Sequence, residues 1–161
     1  MVTKKEGAER ALTRIDRRIL KELQSNARIS YAELARRVGL TTSPCIERVR
    51  RLESDGYIKG YTTVLDPDKL GSGLVVFVQI RLVRMSQDIF AEFATAAAAL
   101  QEVQECFLIS GSFDYLIKAR VADMHEYRRF LGETLLSLPH VQESTSFVVM
   151  EEVKESTLLS F

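Results

Sequence analysis

The chain has 161 residues, of which 46% are hydrophobic and 27% charged, which is ordinary for one folded domain or two small ones. No apolar run approaches the roughly 20 residues of a membrane-spanning helix, so we expect no membrane partner. The two cysteines, Cys45 and Cys106, belong to no metal-binding or disulfide pattern and indicate a reducing cytoplasm.

The formal net charge of zero conceals two halves of opposite charge. Residues 1–60 contain 14 Lys and Arg against 8 Asp and Glu, a net of +6, and residues 61–161 contain 8 against 14, a net of −6. Such asymmetry is typical of a nucleic-acid-binding part joined to a part with another role. Turn-forming residues near 63–73 mark the boundary. We therefore expect a DNA-binding domain over 1–62, a linker over 63–73 and a second domain over 74–161.

The basic half begins with two predicted helices. Helical spacing of apolar residues predicts the first over Asp16–Ser25. Ser30 caps the second, and Glu33 completes a capping box in which the two residues satisfy each other's backbone amides. Gly39 ends this helix because glycine supplies the positive φ of a tight turn.

A third helix completes a helix-turn-helix. Ser43 is the expected N-cap, Pro44 the first helical residue, and Ser54 lies near the end of the helix. The segment after Gly56, residues 57–65, has strand composition and predicts a small wing.

The third helix is the expected DNA-binding element. Ile46, Val49 and Leu52 are predicted to face the core, which leaves a polar face opposite with Arg50 at its flank. Hydroxyls and amides at a helix N-terminus suit phosphates, and guanidinium groups suit guanine edges or phosphates. Arg48 and Arg51 are the best candidates for base contacts, although a solvated charged face remains the alternative. The candidate DNA-binding residues are Thr41, Thr42, Ser43, Glu47, Arg48, Arg50 and Arg51.

The acidic half predicts an α+β domain. Its apolar patterns predict, in order, a strand, a helix, two strands, a helix and a strand, over 74–83, 88–100, 103–110, 115–121, 123–138 and 147–153. This βαββαβ order is that of a ferredoxin-like sandwich.

Both helices of such a sandwich cover the same face of the sheet. The other face nevertheless has apolar residues, among them Val75, Phe77, Leu116 and Phe147. A second copy of the chain is the simplest cover for them. A dimer also places two helix-turn-helix units on half-sites roughly 34–36 Å apart.

The chain resembles the feast/famine (Lrp/AsnC) regulators over about residues 12–157. The resemblance lies in the segments 15–16, 39–52, 104–106, 110–115, 131–136 and 148–154. It implies a bacterial or archaeal transcription regulator in the cytoplasm, associated with the nucleoid, that binds double-stranded DNA. It also implies that dimers assemble into octamers or larger rings, and that a small amino acid, leucine or alanine, binds between subunits as the effector.

The resemblance implies an effector pocket in the second domain. An ammonium group suits the Asp114 carboxylate, a carboxylate suits the amides of Gly111 and Ser112, and an aliphatic side chain suits Met124 and Phe147. Two positions depart from the pattern of the family's leucine-responsive members, which have an acidic residue in place of Ser112 and a tyrosine in place of Phe147. The implied pocket residues are Leu108, Gly111, Ser112, Asp114, Met124, Phe147 and Val149.

Three other functions remain as alternatives. One is a nucleoid-architectural protein that bends DNA without an effector, and another is an amino-acid-binding module that acts through protein partners. An enzyme is the third, but the two histidines, His125 and His140, lie beside no nucleophile, and the chain has no phosphate-binding glycine motif. We expect no catalysis, no metal and no cofactor besides the amino-acid effector.

Overall fold

A computed structural model describes residues 11–83 and 88–161, which fold into two compact units. Unit 1 comprises residues 11–64 and 155–161, and unit 2 comprises the described part of 65–154. Residues 1–10, which the sequence assigns to the first domain, lie outside the described residues. Within the described ranges, no helix has the length and apolar character needed to cross a membrane.

Three helices form unit 1: α1 (Arg14–Ser25), α2 (Tyr31–Val38) and α3 (Thr42–Ser54). α1 begins before its predicted start because Thr13 and Asp16 form a capping box. At α2 the box is only half formed: the Ser30 side chain accepts from the Glu33 amide, whereas the Glu33 carboxylate binds arginines. Gly39 ends α2 with a φ of 76°, as predicted.

Residues 57–65 contain no strand, contrary to the wing that their composition predicts. The Ile58 amide donates to the Leu52 carbonyl at 3.1 Å, and the Tyr61 hydroxyl donates to Glu53 at 2.9 Å. A strand needs a neighbouring strand for its hydrogen bonds, and every regular element of the described part of unit 1 is a helix.

The segment 155–161, which follows the second domain in the sequence, packs within unit 1. The Gln24 side-chain amide donates to the Leu159 carbonyl and accepts from the Leu159 amide, each at 2.9 Å. These contacts join positions 135 residues apart, which local sequence patterns do not reveal.

Unit 2 has the predicted βαββαβ order. Its elements are β1 (Leu74–Leu82), α4 (Ile89–Ala98), β2 (Val103–Leu108), β3 (Tyr115–Val121), α5 (Met124–Arg129) and β4 (Val141–Val148). The strands form an antiparallel sheet in the order β2-β3-β1-β4. Between α5 and β4 the predicted long helix becomes a π turn and then a 3₁₀ turn, near Gly132, a residue with low helix propensity.

The last strand begins six residues before its predicted start. Leu82 of β1 pairs with Val141, and Val76 pairs with Val148. The Val83 amide also donates to the His140 carbonyl, so pairing begins as soon as the chain leaves the helical layer. The apolar run that suggested a strand over 147–153 therefore covers only the end of β4.

The helices cover one face of the sheet but not the other. Val76, Val78, Ile80 and Leu82 of β1 are buried beneath the helices, as the alternation in the sequence predicts. Cross-strand register places Phe77, Leu116 and Phe147 on the other face. Phe147 is half exposed there. We call this surface the open face: Val75, Phe77, Gln79, Arg81, Glu105, Phe107, Leu116, Lys118, Arg120, Glu143, Thr145 and Phe147.

Candidate nucleic-acid interface and ligand site

The first turn of α3 is exposed and polar. Thr41 is its N-cap, so the helix begins one residue before the predicted cap Ser43. Thr41, Thr42 and Ser43 are all exposed. The first amides of a helix have no intrahelical partner and carry partial positive charge, so this turn suits a phosphate.

The buried face of α3 is rotated from the predicted one. Cys45, Val49 and Leu52 are fully buried, whereas Ile46 is only half-buried. Cys45 therefore packs in the core of unit 1. The rotation moves Arg50 outward and brings Arg48 and Arg51 to the flank that packs towards α1.

Arg48 and Arg51 share one buried carboxylate. Nη1 of Arg48 lies 3.0 Å from Oδ1 of Asp16, and Nη2 of Arg51 lies 2.7 Å from the same oxygen. Asp16 is 0% exposed, and each arginine side chain is 31% exposed. We call these three residues the Asp16 cluster. Arg48 and Arg51, the two strongest candidates for base contacts, are thus already bound to a carboxylate of the same chain.

The electrostatics of the cluster keep Asp16 ionised. Burial by itself raises the pKa of Asp16, but hydrogen bonds from Thr13, Arg48 and Arg51 together lower it to about 2. One anion and two cations leave the cluster with a net charge of +1 at neutral pH.

A stripe of exposed residues lies on the outer side of α3. Arg50 is its exposed arginine, and Glu47 is its acidic group. We call Ser43, Glu47, Arg50 and Ser54 the outward stripe. Of the seven predicted DNA-binding residues, five are exposed and two belong to the Asp16 cluster.

The basic residues of α2 are paired with acidic ones. Nε of Arg37 and Nη2 of Arg36 each lie 2.7 Å from Oε1 of Glu33. Nη1 of Arg37 also lies 2.9 Å from Glu22. Hydrogen bonds from Arg36 and Arg37 lower the pKa of Glu33 to about 2.

In unit 2, the turn between β2 and β3 borders a cavity of about 320 Å³. The cavity contains three of the predicted pocket residues, together with Arg81 and Gln142, which the sequence analysis missed. The alternation of apolar residues in β1 places Arg81 on the face away from the core. Its position beside the turn follows from the pairing of β1 with β3 and β4, which the sequence alone does not give. The lining residues are Arg81, Leu82, Gly111, Ser112, Asp114 and Gln142.

The walls of this cavity are ordered by backbone contacts. Oδ2 of Asp114 accepts from the Leu82 amide at 2.8 Å, and the Asp114 side chain is largely buried. Arg81 donates to the Ser112 carbonyl at 2.8 Å and pairs with Glu143 at 3.3 Å. The turn residue Asp114 therefore has a structural role in addition to its place in the cavity wall.

The seven predicted pocket residues do not meet within one chain. Leu108 ends β2 beside Tyr115, at the end of the sheet that carries the turn. Met124 follows β3 at its other end, where Val149 bonds to Val75, and Phe147 lies between the two ends. The seven residues of β3 separate the two ends by roughly 20 Å.

Across residues 11–83 and 88–161, no three or more His, Cys, Asp or Glu are grouped to hold a metal ion. His125 is exposed, and Nε2 of His140 lies 2.6 Å from Glu92.

Two family models match the chain. A winged helix-turn-helix DNA-binding model matches residues 12–59, and an Lrp/AsnC ligand-binding-domain model matches residues 75–159. The chain belongs to the Lrp/AsnC family of transcription regulators. It therefore combines a DNA-binding helix-turn-helix domain with the family's ligand-binding domain, and both the predicted fold class and the predicted family are confirmed.

Individual relatives extend over nearly the whole chain. The leucine-responsive regulatory protein of Escherichia coli K12 is 55% identical over 159 residues, which cover 99% of this chain and 97% of that protein. A transcriptional regulator from Neisseria meningitidis, solved as a complex with L-Met, has a TM-score of 0.89 at 35% identity and covers 93% of this chain and 97% of its own. An AsnC-family regulator from Agrobacterium tumefaciens has a TM-score of 0.88 at 34% identity, with coverage of 92% and 96%.

Proposed function

We propose that this chain is a sequence-specific regulator of amino-acid metabolism genes whose assembly and DNA affinity respond to a small amino acid. The observation that carries the proposal is the pairing of two features in one chain. The last helix of a helix-turn-helix presents an exposed polar side in unit 1, and in unit 2 a polar cavity lies beside a sheet face that carries the apolar residues Phe77, Phe107 and Phe147 among polar ones.

We assign DNA contact to α3 and the residue before it. The hydroxyls and free amides of Thr41, Thr42 and Ser43 suit phosphates. Arg50 and Glu47 are exposed and carry the hydrogen-bonding groups that distinguish base edges in a major groove. Arg48 or Arg51 could contact a base edge only through the guanidinium N–H groups that do not bind Asp16.

The effector is a free amino acid with an aliphatic side chain, leucine or alanine being the first candidates. Arg81 and the amides of Gly111 and Ser112 suit its carboxylate, and Asp114 suits its ammonium group. The relative solved with L-Met supports this ligand class.

The site is completed by a second copy of the chain. Met124 and Val149, the apolar part of the predicted pocket, lie at the end of the sheet opposite to the turn. A partner chain supplies them to one pocket, with Phe147 of the open face at the interface. Homodimers formed in this way assemble to octamers or larger, in the cytoplasm at the nucleoid.

Thermal unfolding in the presence of each of the twenty amino acids tests this function. A ligand that binds only the folded state stabilises it by about 2.7 kcal/mol at a hundredfold excess over Kd. A rise in Tm with one or a few aliphatic amino acids supports the proposal, and no rise with any of the twenty contradicts it.

A nucleoid-architectural protein without an effector is the second candidate. The bond from the Leu82 amide to Asp114 favours it, because that carboxylate already stabilises the chain's own turn. DNA bending and assembly that are unchanged by every amino acid support this alternative. We propose no catalytic role for His125 or His140.

A further inference from the structure

The Asp16 cluster joins the first helix of unit 1 to the helix that we assign to DNA. Asp16 lies 32 positions before Arg48 and binds it and Arg51 through one oxygen. We propose that Asp16 is a positioning residue for DNA binding, which holds both guanidinium groups on one flank of α3 as a clamp on the DNA backbone. The inference rests on the proposed contact between α3 and DNA.

The carboxylate is fixed at both of its oxygens. Oδ2 accepts from the Thr13 amide at 3.0 Å and from the Thr13 hydroxyl at 2.6 Å, and Oδ1 receives Arg48 and Arg51. Because both Thr13 contacts to Oδ2 belong to the capping box of α1, the carboxylate cannot rotate independently of that helix. The positions of the two guanidinium groups are therefore determined by the helix-turn-helix core.

The guanidinium groups keep donors for a second anion. Each carries five N–H donors, and Asp16 contacts one nitrogen of each. About a third of each side chain is exposed, and Nε of Arg51 lies 3.9 Å from the exposed Asp55. An arginine already ordered by the protein loses less conformational entropy when it binds a phosphate.

The positions of Arg48 and Arg51 on α3 favour contact with the DNA backbone over contact with the bases. Arg48 and Arg51 lie on the flank between the buried face and the outward stripe, whereas Glu47 and Arg50 point further outward. Contacts to phosphates fix the register of a helix in the groove, and contacts to base edges then read the sequence. Loss of the clamp should therefore reduce sequence preference more than overall affinity.

The test compares Asp16→Asn with Glu33→Gln. Both variants remove one negative charge from a carboxylate that pairs with two arginines, but Glu33 lies on α2 and is partly exposed, whereas Asp16 is buried. The probes are a duplex of 25 base pairs that the wild-type protein enriches from a random pool and a scrambled duplex of equal length. Dissociation constants for both duplexes are measured over a salt series.

We expect Asp16→Asn to lower the preference for the enriched duplex about tenfold or more, with scrambled-duplex affinity held within about threefold. Glu33→Gln should keep the wild-type preference. An unchanged preference in Asp16→Asn, or an equal loss on both duplexes, overturns the positioning role, since a folding defect lowers both equally.

A second variant makes the test independent of a buried charge. Thr13→Ala keeps the Asp16 charge and the amide bond to Oδ2 but removes the hydroxyl's bond to Oδ2 and its cap bond from the Asp16 amide. It should reduce the preference about threefold, and a wild-type preference in folded Thr13→Ala protein contradicts the proposal. If the wild-type protein enriches no duplex or binds without salt dependence, the DNA contact itself is wrong.

Discussion

The buried carboxylate of Asp16 lies 3.0 Å from Nη1 of Arg48, so the helix expected to read DNA is joined to the first helix of unit 1 through an arginine on its flank. The contact explains why Arg48 is only 31% exposed. It also separates the arginines of α3 into two kinds, because Arg50 extends from the outer side of the helix.

Acid should destabilise unit 1 through Asp16. Its folded pKa of about 2 lies below its ordinary value, so the ionised form stabilises the fold above about pH 4, and this stabilisation is lost as the pH falls towards 2. The protection factor against hydrogen exchange at the buried Ile19 amide should fall over this range. In Asp16→Asn the exchange should be faster at neutral pH and should change less with acid, and an identical pH profile in both proteins would refute the assignment.

Arg50→Ala should weaken binding to the enriched duplex by about 1–3 kcal/mol if Arg50 contacts a base edge. The reason is its outward position on α3. Arg129→Ala is the matched control, since it removes an exposed helical arginine from unit 2. Fluorescence anisotropy measures both, and equal affinities for the two variants would exclude Arg50 as a reader.

Phe147→Glu should reduce self-association. Phe147 is half exposed on the open face beside Phe77, and a charge at that point opposes burial against a second copy. Leu136→Glu, at a position of similar exposure in the helical layer, should leave assembly unchanged. Sedimentation velocity distinguishes the two, and a Phe147→Glu protein that assembles like the wild type would show that the open face is covered in another way.

A pocket shared between copies should show complementation. Arg81→Gln alters the turn end of the site and Met124→Glu alters the opposite end, so each variant alone should lose the thermal shift with an amino acid. Mixed dimers of the two contain one site with both defects and one with neither, so about half of the sites in such dimers should respond. A mixture without any response would indicate that both ends act within one chain.

Patterns local to the sequence predicted much of this molecule. The αL glycine at Gly39 and the alternation of β1 were readable because each depends on a few neighbouring residues. The Thr13–Asp16 box was equally local but was missed at the start of α1.

The predictions that failed concern features that are set by contacts between residues far apart in the sequence. The place of β4 is set by pairing with β1, some sixty residues earlier, and the rotation of α3 is set by Cys45 packing in the helical core. Periodicity alone did not distinguish Cys45 from Ile46 as the centre of the buried face. Asp16 reaches Arg48 across 32 positions, so the sequence showed two arginines without showing their partner.

The measurement that tests the account most directly is the affinity of the wild-type protein for its enriched duplex, at fixed salt, with and without each amino acid. The account predicts that one or a few aliphatic amino acids change the dissociation constant, and that the same ones shift the assembly state and raise Tm. Binding that is tight and salt-dependent but unaffected by all twenty would contradict the role of the cavity and favour an architectural protein.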